Sequence, residues 1–320
     1  MRILLAGDII RCGSHREART ETSGDGLVFL AALTIDGALA GVIYATIALA
    51  FVVVYKASRT INFALGEWVM LGSRMVATGL HAFGLGLGGA LGLAIAGMVA
   101  VALGFNRLIM RPLIGRPTIS LIMVTIGFGA LVRGAATLGF GGISPSIALP
   151  IGQDPMTVMG VAVAPAKLIA AVAAVVSIAA VSWLYHGSRV GLALRALADD
   201  QQAATAVGID AHHSLAIAWA LLGVLSVLAG SLWTVVAGGG FGIVLVGLKV
   251  FPIVIIGGLD SIPGTVVGAL AVGVLESLAA GYVDPVLGGG FSNIASYLVL
   301  IGVLFARPYG LFGEADIERV

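Results

Sequence analysis

The chain has 320 residues, 59% of them hydrophobic and only 10% charged, with 47 glycines and a formal net charge of +1. Soluble domains carry roughly 25% charged residues, so a mean hydropathy of +1.09 places this chain in a bilayer. The same figures exclude a nucleic-acid binder, a disordered chain, a coiled coil and a disulfide scaffold, since one cysteine, Cys12, closes no intramolecular bridge.

Residues 1–26 are polar, with Arg2, Arg11, Arg16 and Arg19 beside Asp8, Glu17, Glu21 and Asp25, and they lack the apolar core of a signal peptide. They read as a loosely ordered tail or a mis-assigned start, ahead of a membrane domain over 27–313 and a short tail over 314–320. Apolar stretches at 27–55, 61–80, 85–104, 118–139, 161–185, 213–237, 265–283 and 292–306 read as spans, a crossing helix needing about 20 apolar residues. A further stretch near 243–264 carries Lys249 and Pro252 and ends in Gly257-Gly258-Leu259-Asp260-Ser261-Ile262-Pro263-Gly264. It reads as broken or re-entrant, and irregular backbone at that depth must be packed in protein or line a wet cavity. The predicted fold is all-α, a polytopic membrane helix bundle of about eight transmembrane helices plus that broken segment.

Orientation follows the basic residues of the short loops. Loop 105–117 holds Arg107, Arg111 and Arg116, loop 186–212 holds Arg189 and Arg195, and loop 140–160 holds neither Lys nor Arg. The first two are expected on the cytoplasmic side, with Lys56, Arg59, Arg307 and the C-terminus, and the third outside. That count leaves the Arg-bearing tail outside, against the rule. Either the tail is not native, or the first stretch hides a re-entrant piece around Asp36 and Gly37. Gly37 with Gly41, Gly88 with Gly92, and Gly264 with Gly268 stand four apart, a spacing that lets helices approach closely in lipid.

No catalytic pattern emerges. The three lysines Lys56, Lys167 and Lys249 never follow a glycine, so there is no Walker A motif and no ATP hydrolysis through a P-loop of this chain's own. His212 and His213 are adjacent and point apart on a helix, which does not make a metal site, and Asp199 with Asp200 read as a solvated face. The ionisable residues inside spans carry more information, because a charge at membrane depth is costly and turns toward a cavity or partner. They are Asp36, Glu67, Arg74, Arg133, Lys167, Lys249 and Glu276, with Glu67 and Arg74 seven apart on one helix face.

Six blocks carry a family resemblance: Tyr44-Ala45-Thr46-Ile47-Ala48-Leu49, Ile61-Asn62-Phe63-Ala64-Leu65-Gly66-Glu67, Arg111-Pro112-Leu113, the segment from Gly191 to Asp210, the Gly257 to Gly264 block, and Arg307-Pro308-Tyr309-Gly310-Leu311-Phe312-Gly313. In that order they resemble the LivH-type permease of branched-chain amino acid ABC importers, over about residues 30 to 313. Leu65, Leu192, Asp260 and Arg74 depart from the family's usual residues.

The resemblance implies a non-catalytic import subunit of the bacterial inner membrane that binds no cofactor itself, ATP and magnesium belonging to partner subunits. It implies a second, LivM-like permease, two cytoplasmic ATPase subunits and an extracytoplasmic substrate-binding protein as partners, besides the lipid bilayer. Arg195, Asp199, Asp200 and Gly208 fall in the segment similar to the family's ATPase contact, a short helix expected to show its charges to a partner while its alanines pack back on the bundle. Asn62, Glu67, Thr125 and Lys249 are expected to line a midplane substrate pathway. Relatives of this architecture also resemble carriers of urea, short amides or other amino acids, and a self-sufficient secondary transporter is the reading from another class.

Overall fold

Inside lipid a chain must satisfy its own backbone polar groups, and a helix does so within one segment. The computed structural model describes residues 18–113, 116–151, 154–158, 161–307 and 310–313, and these are overwhelmingly helical. Helices α1 (Ala18–Ser58), α2 (Leu65–His81), α3 (Leu87–Phe105) and α4 (Thr118–Phe140) precede a small antiparallel hairpin of β1 (Met156–Val158) and β2 (Val161–Val163), with Met156 opposite Val163. There follow α5 (Pro165–Gly187), α6 (Arg189–Asp199), α7 (Gln201–Ala206), α8 (Ala211–Ala237), α9 (Val244–Gly257), α10 (Ile262–Leu278), α11 (Asp284–Leu287) and α12 (Phe291–Ala306). Among the described residues six helical stretches are long and apolar enough to cross a membrane, and Phe241–Gly257 and Phe291–Ala306 are shorter apolar helices. The polytopic all-α bundle expected from the sequence is the fold observed.

α1 forms the core of the bundle, packed along α10 and α8 and buried continuously from Ile43 to Val54. It runs unbroken through Asp36 and Gly37, so the expected re-entrant piece is absent there. α1 begins at Ala18, before the apolar text starts, and residues 1–17 and 314–320 lie outside the described residues. Two of the three glycine pairs are used for close approach. A Cβ on Gly41 would stand 2.8 Å from the Ala269 carbonyl of α10, and one on Gly268 would stand 2.7 Å from the Ile253 carbonyl of α9. Gly88 and Gly92 face open space.

The segment around 243–264 corrects the sequence expectation. α9 is one continuous helix through Pro252, and the irregular backbone lies at its two ends. Gly238 (φ 87°) and Gly240 (φ 123°) precede it and Gly258 (φ 105°) follows, positive angles that suit a residue without a Cβ. The expected spans also shrink at their starts: 59–64 is non-helical before α2, and residues 161–163 are strand before the proline that opens α5. The Gly257 to Gly264 block and the C-terminal block form one structure, because Leu311 and Phe312 donate their N–H groups to Ile256 O (2.8 Å) and Gly257 O (3.2 Å).

Polar side chains start several helices. Ser261 Oγ accepts from the Gly264 N–H at 3.1 Å at the head of α10. Asp210 caps α8, accepting from the N–H of His212 at 2.8 Å and of His213 at 3.2 Å. The His213 N–H, helped by the His212 N–H and the two imidazoles and opposed by desolvation, holds this carboxyl below the usual carboxylate range. A depressed acid stabilises the fold above its ordinary pKa, and the benefit disappears as pH falls through the lowered value. Asp210→Ala is therefore expected to lower the melting temperature at neutral pH, with the difference from the native chain shrinking below about pH 4.

Candidate transport site and coupling face

The seven ionisable residues singled out within spans resolve into three ion pairs and one arginine on carbonyls. Arg133 of α4 donates to Glu67 of α2 at 2.5 Å, Lys249 of α9 to Glu276 of α10 at 3.1 Å, and Lys167 of α5 pairs with Asp36 of α1. Arg74 of α2, 2% exposed, donates to the Ile143 carbonyl at 2.9 Å and to that of Phe140, and lies over the Phe241 ring at 5.1 Å. Glu67 and Arg74 share a helix, yet each takes a partner from elsewhere. Each pairing joins two helices, so none of these charges stands alone at membrane depth.

The four residues expected on one pathway divide into two places. Asn62 Oδ1 accepts from the Ala64 N–H at 3.0 Å in the turn ahead of α2, while its Nδ2 is buried without a partner. The next backbone N–H, of Phe63, donates to Thr125 Oγ1 at 3.3 Å. Thr125 lies seven residues into α4, about 10 Å along its axis, so the non-helical 59–64 segment reaches well into the bundle. Glu67 and Arg133 sit just beyond and border an open groove of about 650 Å³ with Ile126, Ala130 and Thr137. Gly129 leaves the space that the Glu67 carboxylate occupies, since a Cβ there would stand 3.1 Å from its carbon.

Lys249 is elsewhere. On α9 the Phe251 ring stacks on Phe63 at 4.9 Å, and residue 249 points about 200° away from it. There the Tyr44 hydroxyl of α1 donates to Glu276 Oε2 at 2.9 Å, and Lys249 Nζ reaches the same oxygen and the Tyr44 oxygen at 3.5 Å. Glu276 Oε1 is buried with no partner. Tyr44 and Glu276 border a cavity of about 430 Å³ that also touches Asp36 and Ser292. Sequence reasoning missed the role of Tyr44, although it stands in the first resemblance block.

At one end of the bundle α6 is clamped against α1 and α5. Ser188 Oγ accepts from the Gly191 N–H at 3.0 Å, and Gly191 lies so close to the Leu184 and Tyr185 carbonyls that a Cβ would collide with them. Arg195 donates to the Tyr185 carbonyl at 2.9 Å, and Arg59 donates to the Ala198 carbonyl at 3.2 Å, a cation on the end of a helix. The residues packed inward are Gly191, Leu194 and Leu197. Ala196 packs on the core beside these leucines and Ala204 is buried in it, while the expectation of an outward Arg195 is corrected, because its guanidinium lies on the end of α5. Asp199 is exposed and borders a cleft of about 210 Å³ with Lys56, Arg59, His186, Asp260 and Ser261. Asp200 Oδ1 accepts from the Ala203 N–H at 2.9 Å at the head of α7, and Gly208 (φ 91°) turns the chain toward α8.

Six helical stretches long and apolar enough to cross a membrane, joined by internal ion pairs and with an amphipathic helix packed against α1 and α5, make this a multi-pass helical membrane protein. Residues 33–306 match the family described as the permease component of the branched-chain amino acid transport system, and the chain belongs to that family. It is 28% identical over 305 residues to the high-affinity branched-chain amino acid transport system permease protein LivH of Escherichia coli K12, covering 89% of this chain and 96% of the relative. BraD of Pseudomonas aeruginosa, with the same description, is 29% identical over the same shares of each chain. A probable branched-chain amino acid transport permease protein LivH of Methanocaldococcus jannaschii is 27% identical over 83% of this chain and 87% of its own. No solved structure matches the chain.

Proposed function

We propose that this chain is the membrane-spanning permease subunit of an ATP-driven importer that translocates branched-chain amino acids handed over by an extracytoplasmic binding protein. A second, LivM-like permease completes the pathway and two ATPase subunits sit beneath α6, in the bacterial inner membrane. The observation that carries the reading is α6, an amphipathic helix fixed by Gly191, Arg195 and Arg59 to the ends of α5 and α1. A push on it reaches the 59–64 segment, and through Phe63 and Thr125 it reaches α4. Lys56, Arg59, His186 and Phe312 border one cleft, which puts the basic loops and the C-terminal block at one end. Excess Lys and Arg mark the cytoplasmic side. Asn62, Thr125 and Glu67 then lie on the α2 and α4 side of the pathway, with Lys249 beyond α9.

The test is uptake of labelled leucine, isoleucine, valine, urea and a short amide into proteoliposomes holding the assembled complex, with binding protein outside and ATP inside. ATP-dependent uptake of the three amino acids is the expected result. Uptake of urea or amide alone changes the cargo and keeps the machine. Uptake that persists without ATP on an ion gradient overturns the importer reading in favour of a secondary transporter.

A further inference from the structure

The Tyr44, Lys249 and Glu276 cluster has an incomplete set of hydrogen bonds. A carboxylate accepts on both oxygens and an ammonium donates three times. Glu276 Oε2 serves both Tyr44 and Lys249, whereas Oε1 is buried with no partner on a side chain that is 10% exposed. Lys249 spends one N–H on Glu276 and a long one on Tyr44, leaving a third. Glu276 and Tyr44 border a cavity of about 430 Å³ whose other walls include Phe29, Leu33 and Gly37. Glu276 carries one unmet acceptor, Oε1, and holds Lys249 Nζ 3.1 Å from its other oxygen, so the pair stands at the edge of a cavity that Glu276 borders, with apolar walls at Phe29 and Leu33 and polar ones at Asp36, Ser277 and Ser292. An acceptor and a cation held side by side are the complement of a small zwitterion.

We infer that Glu276 and Lys249 form an exchangeable ion pair that opens to take a zwitterionic α-amino acid, Glu276 receiving its ammonium group and Lys249 its carboxylate. This rests on the importer reading and adds the groups that recognise the cargo within the membrane. The exchange conserves charge: one ion pair becomes two, and neither Glu276 nor Lys249 is left unpaired at membrane depth, where an uncompensated charge is strongly destabilising. A neutral solute such as urea breaks the pair without replacing it. A simple amine satisfies Glu276 and strands Lys249. The permease therefore discriminates for zwitterions independently of the binding protein. Because Lys249 lies on α9 and Glu276 on α10, opening the pair also loosens α9 at the glycine breaks that flank it.

Leucine uptake by the reconstituted complex, with saturating loaded binding protein, tests this in three forms: native, Glu276→Gln, and the neutral double variant Lys249→Gln with Glu276→Gln. Losing a charge-assisted hydrogen bond to the cargo is expected to reduce uptake by about tenfold or more in both variants. The double variant removes both charges at similar shape, so it assembles even where the single one leaves Lys249 unpaired. A pair that only holds α9 to α10 gives the opposite pattern, with uptake restored in the double variant. Restoration to within about twofold of native, or native uptake in Glu276→Gln, overturns the inference. A native complex that moves no amino acid under ATP sinks the importer reading itself, whereas a working native complex with an active double variant sinks this inference alone.

Discussion

Gly191→Val is expected to reduce ATP-driven uptake by about tenfold or more while leaving the membrane bundle folded. Position 191 is the point at which α6 rests on α5, and a Cβ there would collide with the carbonyl oxygens of Leu184 and Tyr185. Backbone carbonyls in the last turn of a helix cannot swing aside like a flexible side chain, so α6 must lift, at an overpacking cost of roughly 1–3 kcal/mol. Lifting it also stretches the bonds from Arg195 to the Tyr185 carbonyl and from Arg59 to the Ala198 carbonyl, 2.9 and 3.2 Å in the native chain. Both help to tie α6 to the rest of the molecule. The helix core around α1 and α8 does not depend on these contacts, so the variant purifies from membranes in normal amount. Its defect appears as weaker co-purification of the ATPase subunits or as ATP hydrolysis without uptake. Native uptake in this variant would show that α6 does not couple in the pose described.

Trp68→Ala carries the largest expected stability effect. Trp68 is 1% exposed, with ring centroids of Phe105, Phe128 and Trp219 at 5.6, 5.3 and 6.1 Å. These rings come from α3, α4 and α8, so one side chain binds four helices together. Lipid is as apolar as the core, so the loss is of dispersion contacts and the opening of a cavity rather than of burial from water. Truncating a buried Trp or Phe costs about 3–5 kcal/mol in soluble cores, and the cavity part of that figure applies here. α4 packs against the bundle chiefly through α2, so its contacts from Thr125 to Phe63 and from Arg133 to Glu67 are expected to loosen with it. A fall in melting temperature followed by intrinsic fluorescence in detergent, together with lost uptake, checks this. The Trp68 indole N–H has no partner, so Trp68→Phe keeps most of the packing, breaks no hydrogen bond and is expected to fall well short of the alanine effect.

The candidate site was legible in its residues and illegible in its pairings. Asp36, Glu67, Arg74, Arg133, Lys167, Lys249 and Glu276 stand out because charge is rare in apolar text. Local periodicity relates a residue only to neighbours three, four or seven positions away, which offered Glu67 and Arg74 to each other. The actual partner of Glu67 is Arg133, 66 positions on, and that of Lys167 is Asp36, 131 positions back. The cap at Asp210 had a local signal, an aspartate directly before a long apolar run, whereas the bond from Arg59 to the Ala198 carbonyl spans 139 positions and had none.

The sequence by itself determined that this chain lives in a bilayer, crosses it many times as helices and belongs among permeases. Those properties follow from composition, from runs of apolar residues and from ordered blocks such as Ile61 to Glu67, all of which are local along the chain. Only the tertiary structure decided that α9 runs unbroken through Pro252 between glycine breaks, that Gly88 and Gly92 face outward while Gly41 and Gly268 meet neighbouring backbones, and that Lys249 belongs with Tyr44 and Glu276 rather than with Asn62 and Thr125. Partner choice in a membrane bundle depends on which helix faces meet. In a medium where every helix is apolar nearly all round, that choice rests on close packing and on charges finding one another across the fold.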